Sequence, residues 1–191
     1  SMKPLVRVYA TGANIPSLPD YHKMIDILVE NTERNKLIAG IALGEIMSGA
    51  KILILTKRIA HAEMLYNSIA RLPGVYLIKS DTPDREIILK EMKDGKRLFR
   101  CIIGTMQLLG TGFDIPTLDR LLLAGDIKSS VLTVQTTGRI LRILSGKEPI
   151  IYDFFDEKNG ILKNQFKARK KIYHGKEWEL EFHPDYMEKY I

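Results

Sequence analysis

The strongest constraint on the fold is an alternation of short apolar segments with helical patterns along most of the chain. The apolar segments are rich in aliphatic and β-branched residues, and most of them are apolar on both faces. They predict strands at residues 5–10, 51–56, 75–78, 99–104, 120–124 and 149–155. Strands of this kind, separated by helices, are typical of a parallel sheet covered on both sides. We therefore expect a doubly wound α/β fold with three layers.

Helices are predicted between these strands from the spacing of apolar residues and from signals at the helix ends. The predicted helices cover residues 32–48, 58–71, 131–144 and 161–173. Another is expected to begin at Thr82, whose hydroxyl could cap it, with Pro83 in its first turn and Gly95 at its end. The chain is predicted to form one domain over residues 1–191, with a core over about residues 3–157 and a basic helix and tail over residues 158–191.

Charge and cysteine content restrict the classes of partner and compartment. The chain has 29 Lys and Arg against 23 Asp and Glu, a formal net charge of +6, so polyanions are candidate partners. One cysteine allows no disulfide within the chain and fits a reducing, cytoplasmic setting. No run approaches the ~18 apolar residues of a membrane span. Ser1 before Met2 is typical of a remnant of tag removal, which predicts that the chain is part of a longer protein.

The most specific pattern is the segment QTTGRILR at residues 135–142. Arg139 and Arg142 are three residues apart and share a helix face, while Gly138 allows close approach of a phosphate or a second backbone. Two forked, permanently charged donors suit a triphosphate. An isolated G-R-x-x-R pattern is more often a surface helix with solvated arginines. The preceding strand and the apolar residues of the same helix favour a functional pair at the edge of the sheet.

A second pattern is the segment TMQLLGTGFDIP at residues 105–116, which begins where a predicted strand ends. Ligands of open parallel sheets bind beyond the carboxyl ends of strands. The glycines of this loop expose backbone N–H groups, its threonines offer hydroxyls and Asp114 offers a carboxylate. Together these groups could hold phosphate and ribose. The alternative is a glycine-rich turn in which Asp114 caps the following segment.

These two segments together resemble motifs V and VI of superfamily 2 helicases, in the order and separation of that family. Residues 51–58 (KILILTKR) resemble motif IV, and residues 82–85 stand where the family has a short loop with an arginine. The resemblance covers roughly residues 35–156. There are two departures: residues 78–80 (IKS) replace a glycine often found after the third strand, and Gln135 stands where DEAD-box RNA helicases have histidine. The second departure favours the repair, phage and restriction translocases that act on DNA.

The resemblance implies a C-terminal RecA-like lobe of an ATP-dependent helicase or translocase. Arg139 and Arg142 would be arginine fingers, with Gln135 lining the same cleft between lobes. Nucleotide contacts would come from Gly112, Asp114 and Gly138. Nucleic-acid contacts would come from Thr56, Lys57, Arg58, Arg85, Thr105 and Thr111. The expected partners are nucleic acid, with DNA favoured over RNA, and the N-terminal RecA-like lobe.

ATP and Mg²⁺ are expected to be bound mainly by that N-terminal lobe, because the pattern G-x-x-x-x-G-K-[ST] does not occur in this sequence. The chain alone is therefore predicted to hydrolyse no ATP. Residues 150–157 (IIYDFFDE) are similar to a Walker B strand, but without a P-loop we interpret them as a core strand that ends in a charged turn. A transferase of the Rossmann type is a weaker alternative, since no G-x-G-x-x-G follows the first strand.

Two points stay open at the level of sequence. A non-catalytic nucleic-acid-binding or interaction module could keep the same fold. Residues 158–176 contain seven Lys or Arg and no acid, so they form either a face for phosphate backbones or the solvated face of a helix.

The histidines show no metal-ligand spacing, so no metal site is predicted, and His61 is expected at the surface.

Overall fold

The computed structural model describes residues 3–110, 113–127 and 148–190. These residues form one parallel sheet of seven strands in the order β3-β4-β2-β5-β6-β1-β7. The strands are β1 (Leu5–Ala10), β2 (Ile52–Thr56), β3 (Val75–Leu77), β4 (Cys101–Thr105), β5 (Arg120–Leu123), β6 (Ile150–Phe155) and β7 (Glu179–His183). Because all pairs are parallel, the carboxyl ends of all seven strands lie at one edge of the sheet.

The described helices are α1 (Tyr21–Glu30), α2 (Thr32–Met47), α3 (Ile59–Ile69), α4 (Arg85–Lys93) and α5 (Gly160–Gly175). Short 3₁₀ helices cover Met106–Gly110 and Asp185–Tyr190. Three helices begin at a side chain that accepts backbone N–H groups of the first turn: Asp20 before α1, Asn31 before α2 and Asn159 before α5. Within the described part of the chain, no helix has both the length and the apolar character needed to cross a membrane.

Two hydrophobic cores cover the faces of the sheet. On one face, buried residues of α2 and α3, such as Ile38 and Leu65, pack with Ile54 and Ile103 of the strands. On the other face, Met92 of α4 and Phe166 and Tyr173 of α5 pack with strand residues such as Phe155. The predicted α/β fold, with a parallel sheet between two layers of helices, is confirmed.

Four local features differ from the prediction or were absent from it. Helix α1 and strand β7 were not predicted; the sequence of β7, ELEFH, alternates charged and apolar residues because it is an edge strand paired with β1 alone. Helix α4 begins at Arg85 instead of Thr82, because the Thr82 hydroxyl accepts a hydrogen bond from the Lys79 N–H in a turn before the helix. Residues 158–190, set outside the core by the sequence interpretation, contribute α5 and the seventh strand.

Candidate nucleic-acid interface

The predicted contact residues that the structure describes lie at or near the carboxyl edge of the sheet. Thr56 and Thr105 end β2 and β4 and are direct partners in the register of these two strands. Arg85 begins α4, which connects β3 to β4. This edge is the surface of an open parallel sheet at which ligands bind.

Arg85 and Thr105 line one cavity of about 250 Å³, together with Lys79. The other lining residues are Ile59, Ile78, Ser80, Gln107 and Leu108. The Lys79 ammonium lies 3.9 Å from the Asp81 carboxylate and 4.0 Å from the Glu63 carboxylate, and neither acid lines the cavity. A cavity with two cationic side chains and a hydroxyl suits a phosphate group of a nucleic-acid backbone. Lys79 was not predicted; its signal is a cationic residue two positions after a strand.

The three neighbouring residues predicted from motif IV differ in what their side chains can reach. Thr56 is buried, and its hydroxyl donates a 2.9 Å hydrogen bond to the Arg58 carbonyl. The Arg58 guanidinium pairs with the Asp26 carboxylate and donates to the His22 carbonyl at 3.0 Å, which ties α3 to α1. Lys57 is exposed. Of these three residues, Lys57 has the side chain best placed for a partner in solution.

Gly125 sets the position of this same turn. A Cβ at Gly125 would lie 2.6 Å from the Lys57 backbone nitrogen and 3.1 Å from the Thr56 carbonyl carbon. Contacts this short leave no room for a side chain, so the backbone after β5 packs directly against the end of β2. Sequence reasoning missed this residue, although a glycine directly after a predicted strand is a recognisable signal.

Asp114 lies on a second cavity, of about 340 Å³, whose lining includes Arg85, Lys93 and Phe113. One carboxylate oxygen of Asp114 is 3.0 Å from the Lys93 ammonium. The other oxygen is buried and has no hydrogen-bond partner among the described residues. Arg85 lines both cavities, so the predicted nucleotide loop and the cationic cavity are adjacent.

Two buried arginines bind acids within and directly after β6 and carbonyl groups of the segment after β5. Arg34 donates to the Asp156 carboxylate at 2.9 and 3.3 Å and to the Ala124 carbonyl at 2.6 Å. Arg169 donates to both oxygens of Asp153 at 2.9 Å and to the Ile127 carbonyl at 3.0 Å. The interpretation of residues 150–157 as a core strand that ends in a charged turn is confirmed, since all six residues of β6 are buried and Asp156 and Glu157 follow in a turn.

The ionisation of Arg169 follows from this pairing. Burial by itself lowers the pKa of a guanidinium, but the attraction and hydrogen bonds of Asp153 raise the pKa of Arg169 above its ordinary value. Arg169 therefore stays charged and buried. The sequence count that included it in a basic face is wrong for this residue, because the carboxylate that compensates it lies beneath the helix.

His61 was expected at the surface, and that expectation is wrong. The residue is buried, and its Nε2 lies 2.8 Å from the Asn35 side-chain oxygen, so the neutral ring donates to this oxygen. Burial, and next the charge of Arg34, lower the pKa of His61 to about 3. The described residues contain no group of three or more His, Cys, Asp or Glu placed to hold a metal ion.

Several predicted site residues lie outside the part of the chain that the structure describes. They are Thr111, Gly112, Gln135, Gly138, Arg139 and Arg142. Their proposed contacts therefore rest on the sequence pattern alone.

No family model matches the chain. The chain is 26% identical over 158 residues to the ATP-dependent DNA helicase uvsW of Enterobacteria phage T4, covering 81% of this chain and 31% of the relative. It is 33% identical over 167 residues to helicase 161L of Invertebrate iridescent virus 6, covering 81% of this chain and 36% of the relative. The chain thus spans about a third of the length of these relatives.

Solved structures share the fold. The crystal structure of T4 UvsW superposes with a TM-score of 0.77 at 19% identity, over 94% of this chain and 40% of that protein. The C-terminal domain of the DEAD-box protein Dbp5 superposes with a TM-score of 0.67 at 16% identity, over 97% of this chain and 93% of that domain. At these identities the superpositions concern the fold alone.

Proposed function

We propose that the chain is the C-terminal motor lobe of an ATP-dependent nucleic-acid helicase or translocase. Two findings support the proposal: the chain is homologous to helicases, and it has the RecA-like fold of the C-terminal domain of superfamily 2 helicases. An N-terminal RecA-like lobe would bind ATP and Mg²⁺, and this lobe would complete the site when the two close. Hydrolysis would open and close the cleft and move the protein along a strand.

The observation that carries the proposal is the cationic cavity at the carboxyl edge of the sheet. Three side chains line this cavity together: Thr105 at the end of β4, Lys79 after β3 and Arg85 at the start of α4. Two cations and a hydroxyl can contact phosphate oxygens without reading base identity, as a motor that moves along any sequence requires. Lys57, exposed after β2, would extend this set of phosphate contacts, which together form the proposed strand-binding track.

The nucleotide side of the proposal involves Asp114. Its buried, unpartnered oxygen is a free acceptor among the described residues, and the hydroxyls of a ribose are suitable donors. Gly112 and Gly138 would contribute backbone N–H groups and close approach to phosphate. Arg85 lines both the cavity of Asp114 and the cavity of Thr105. A change in the nucleotide contacts at Asp114 would therefore reach the strand-binding track through the Arg85 side chain.

The catalytic part of the proposal rests on Arg139 and Arg142, with Gln135 beside them. Charge develops on the transferring phosphoryl group in the transition state, and two guanidiniums that arrive on closure of the lobes would stabilise it. The chain would then supply the finger groups of a shared site, and ATP and Mg²⁺ would be held mainly by the other lobe.

We propose DNA as the substrate of the motor. Gln135 departs from the histidine of DEAD-box RNA helicases, and the T4 relative is named as a DNA helicase. A structure of Dbp5 bound to RNA also superposes on this chain. Binding of single-stranded DNA should therefore be compared with binding of single-stranded RNA of the same sequence.

The track is tested by single-strand binding at several salt concentrations. Arg85→Gln removes one cation from the cavity and should weaken binding of single-stranded DNA, with a salt slope smaller by about one. Arg71→Gln, at an exposed arginine two residues after α3, is the matched control. Equal affinities of the two variants would contradict the track.

The motor itself is tested by ATP hydrolysis. The 191-residue chain alone should show no magnesium-dependent turnover, whereas a longer protein that contains it should hydrolyse ATP faster when single-stranded DNA is added. Robust turnover by the chain alone would contradict the shared site. Absence of nucleic-acid-stimulated turnover in the longer protein would favour a binding module that keeps the fold without a motor.

A further inference from the structure

The outer face of α5 is a continuous basic surface. Lys163, Lys167 and Lys171 follow each other at four-residue spacing, so they share one face of the helix. Lys167 and Lys171 are exposed, and Lys163 is partly exposed. No acidic residue occurs between residues 158 and 176 to interrupt the face.

The orientation of this face is fixed by the opposite side of the helix. Leu162, Phe166 and Tyr173 are buried there, and Arg169 is paired with Asp153 beneath the helix. The Tyr173 hydroxyl also donates to Asp153 at 2.7 Å. Rotation of α5 would break these contacts, so the three lysines are held toward solvent by the core.

The charge of the face is not compensated within the described part of the chain. Its ion pairs do not involve Lys163, Lys167 or Lys171. The eight residue steps from Lys163 to Lys171 rise by about 12 Å at about 1.5 Å per residue. One strand of a duplex places a phosphate about every 3.4 Å along its axis, so the three lysines can follow three or four phosphates.

The chemistry of the face favours a duplex over a single strand. Proteins bind single strands largely by stacking bases on exposed aromatic side chains. The Phe and Tyr side chains of α5, Phe166 and Tyr173, are buried in the core, and the exposed ring of the helix is that of His174 at its C-terminal end. Along Lys163, Lys167 and Lys171 the face offers point charges, which can contact a backbone whose bases are already stacked within a helix.

The face is also separate from the cationic cavity. Helix α5 packs on β6 and β7, whereas Lys79, Arg85 and Thr105 belong to the region of β3 and β4. Strands β4 and β6 are three positions apart in the sheet, about 14 Å at the usual spacing of strands.

We propose that the outer face of α5 is a second nucleic-acid site, which binds the phosphate backbone of a duplex without regard to sequence. In a motor it would hold the duplex while the carboxyl edge contacts the single strand. The proposal goes beyond the motor function, because the surface would bind a duplex in a module without ATPase activity as well.

The test uses the 191-residue chain, a fluorescent duplex and a fluorescent single strand of the same length. The variant K163Q/K167Q/K171Q removes three charges from the face. The control K23Q/K36Q/K96Q removes three charges from exposed positions on α1, on α2 and after α4. Both triple variants lower the formal net charge from +6 by three, to +3, so net charge alone cannot separate them. Far-UV circular dichroism and urea unfolding establish that each variant is folded.

The α5 variant is expected to lose at least about tenfold in duplex affinity relative to the control, and its slope of log K against log salt should be smaller by about three. Its affinity for the single strand should fall no more than that of the control. Arg85→Gln should have the opposite selectivity and thus reports on the motor's track separately. Equal duplex affinities of the two triple variants would overturn the proposal. An equal loss of affinity for the duplex and for the single strand in the α5 variant would overturn the assignment of the face to a duplex.

Discussion

The guanidinium of Arg169 and the carboxylate of Asp153 form a buried, doubly hydrogen-bonded pair, with both N–O distances at 2.9 Å. The side chains are 7% and 1% exposed. The pair joins α5 to the middle of β6, and a further bond from Arg169 reaches the Ile127 carbonyl. An arginine that the sequence places among surface lysines therefore acts as an internal connection between a helix and the sheet.

Arg169→Gln should lower the free energy of unfolding by about 3 to 5 kcal/mol, because it leaves the Asp153 carboxylate buried without its counter-charge. Lys167→Gln, two residues away on the exposed face, should change it by no more than about 0.5 kcal/mol. Urea unfolding followed by circular dichroism measures both. Similar losses in the two variants would mean that the pair contributes no more than a surface contact.

The buried His61 should make stability depend on pH. The pKa of His61 in the folded protein is about 3, against about 6.5 for histidine in an unfolded chain, so the unfolded chain binds more protons below pH 6.5. The stabilising contribution is complete above about pH 6.5 and is lost as the pH falls toward 3. Well below pH 6.5 the loss approaches about 1.4 kcal/mol per pH unit.

The measurement for this prediction is urea unfolding at several pH values between 7.5 and 4.5. His61→Gln should unfold with a shallower pH dependence than the unchanged chain, since glutamine can donate to Asn35 but does not titrate. His22→Gln, at an exposed histidine, should keep the original dependence. Identical profiles for the unchanged chain and His61→Gln would contradict the burial of a neutral ring.

Gly125→Ala should destabilise the turn at the ends of β2 and β5. Its Cβ would lie 2.6 Å from the Lys57 backbone nitrogen, so the backbone must move, at a cost of about 1 to 3 kcal/mol. Gly40→Ala is the control, because a Cβ there meets no atom within 4 Å and alanine favours a helix interior. That change should stabilise the chain by about 0.5 to 1 kcal/mol. Equal effects of the two changes would show that the contact at Gly125 relaxes without cost.

Arg139→Ala and Arg142→Ala should each reduce ATP turnover in a longer, two-lobed protein by about 10³-fold or more. A group that acts mainly in the transition state lowers kcat more than it weakens ATP binding, so nucleotide affinity should change much less than turnover. Arg139→Lys should remain impaired, since lysine keeps the charge but loses the planar fork. Steady-state hydrolysis with saturating single-stranded DNA and direct nucleotide binding measure these effects. Near-normal turnover in both alanine variants would make this segment a surface feature.

The sequence determined the architecture because apolar periodicity is a local property. Residues 5–10 were predicted as a strand and form β1 with those bounds, and the strands of residues 120–124 and 149–155 differ from β5 and β6 by one residue. Strands that are apolar on both faces must be covered on both sides, so the three layers followed. The resemblance to helicase motifs likewise needed only the spacing of residues along the chain. The roles of Arg139 and Arg142 remain predictions on that basis.

Only the tertiary structure decided which polar residues are surface and which are core. Arg34 and Asp156 are 122 residues apart, and their pairing gives no local signal in the sequence. His61 is a polar residue of α3, yet it is buried, and its ring nitrogen donates a hydrogen bond to the side-chain oxygen of Asn35 on α2. Local periodicity shows which positions favour burial, but a charged or polar side chain is buried only where a distant partner compensates its loss of water. Those partners meet only when the sheet is assembled.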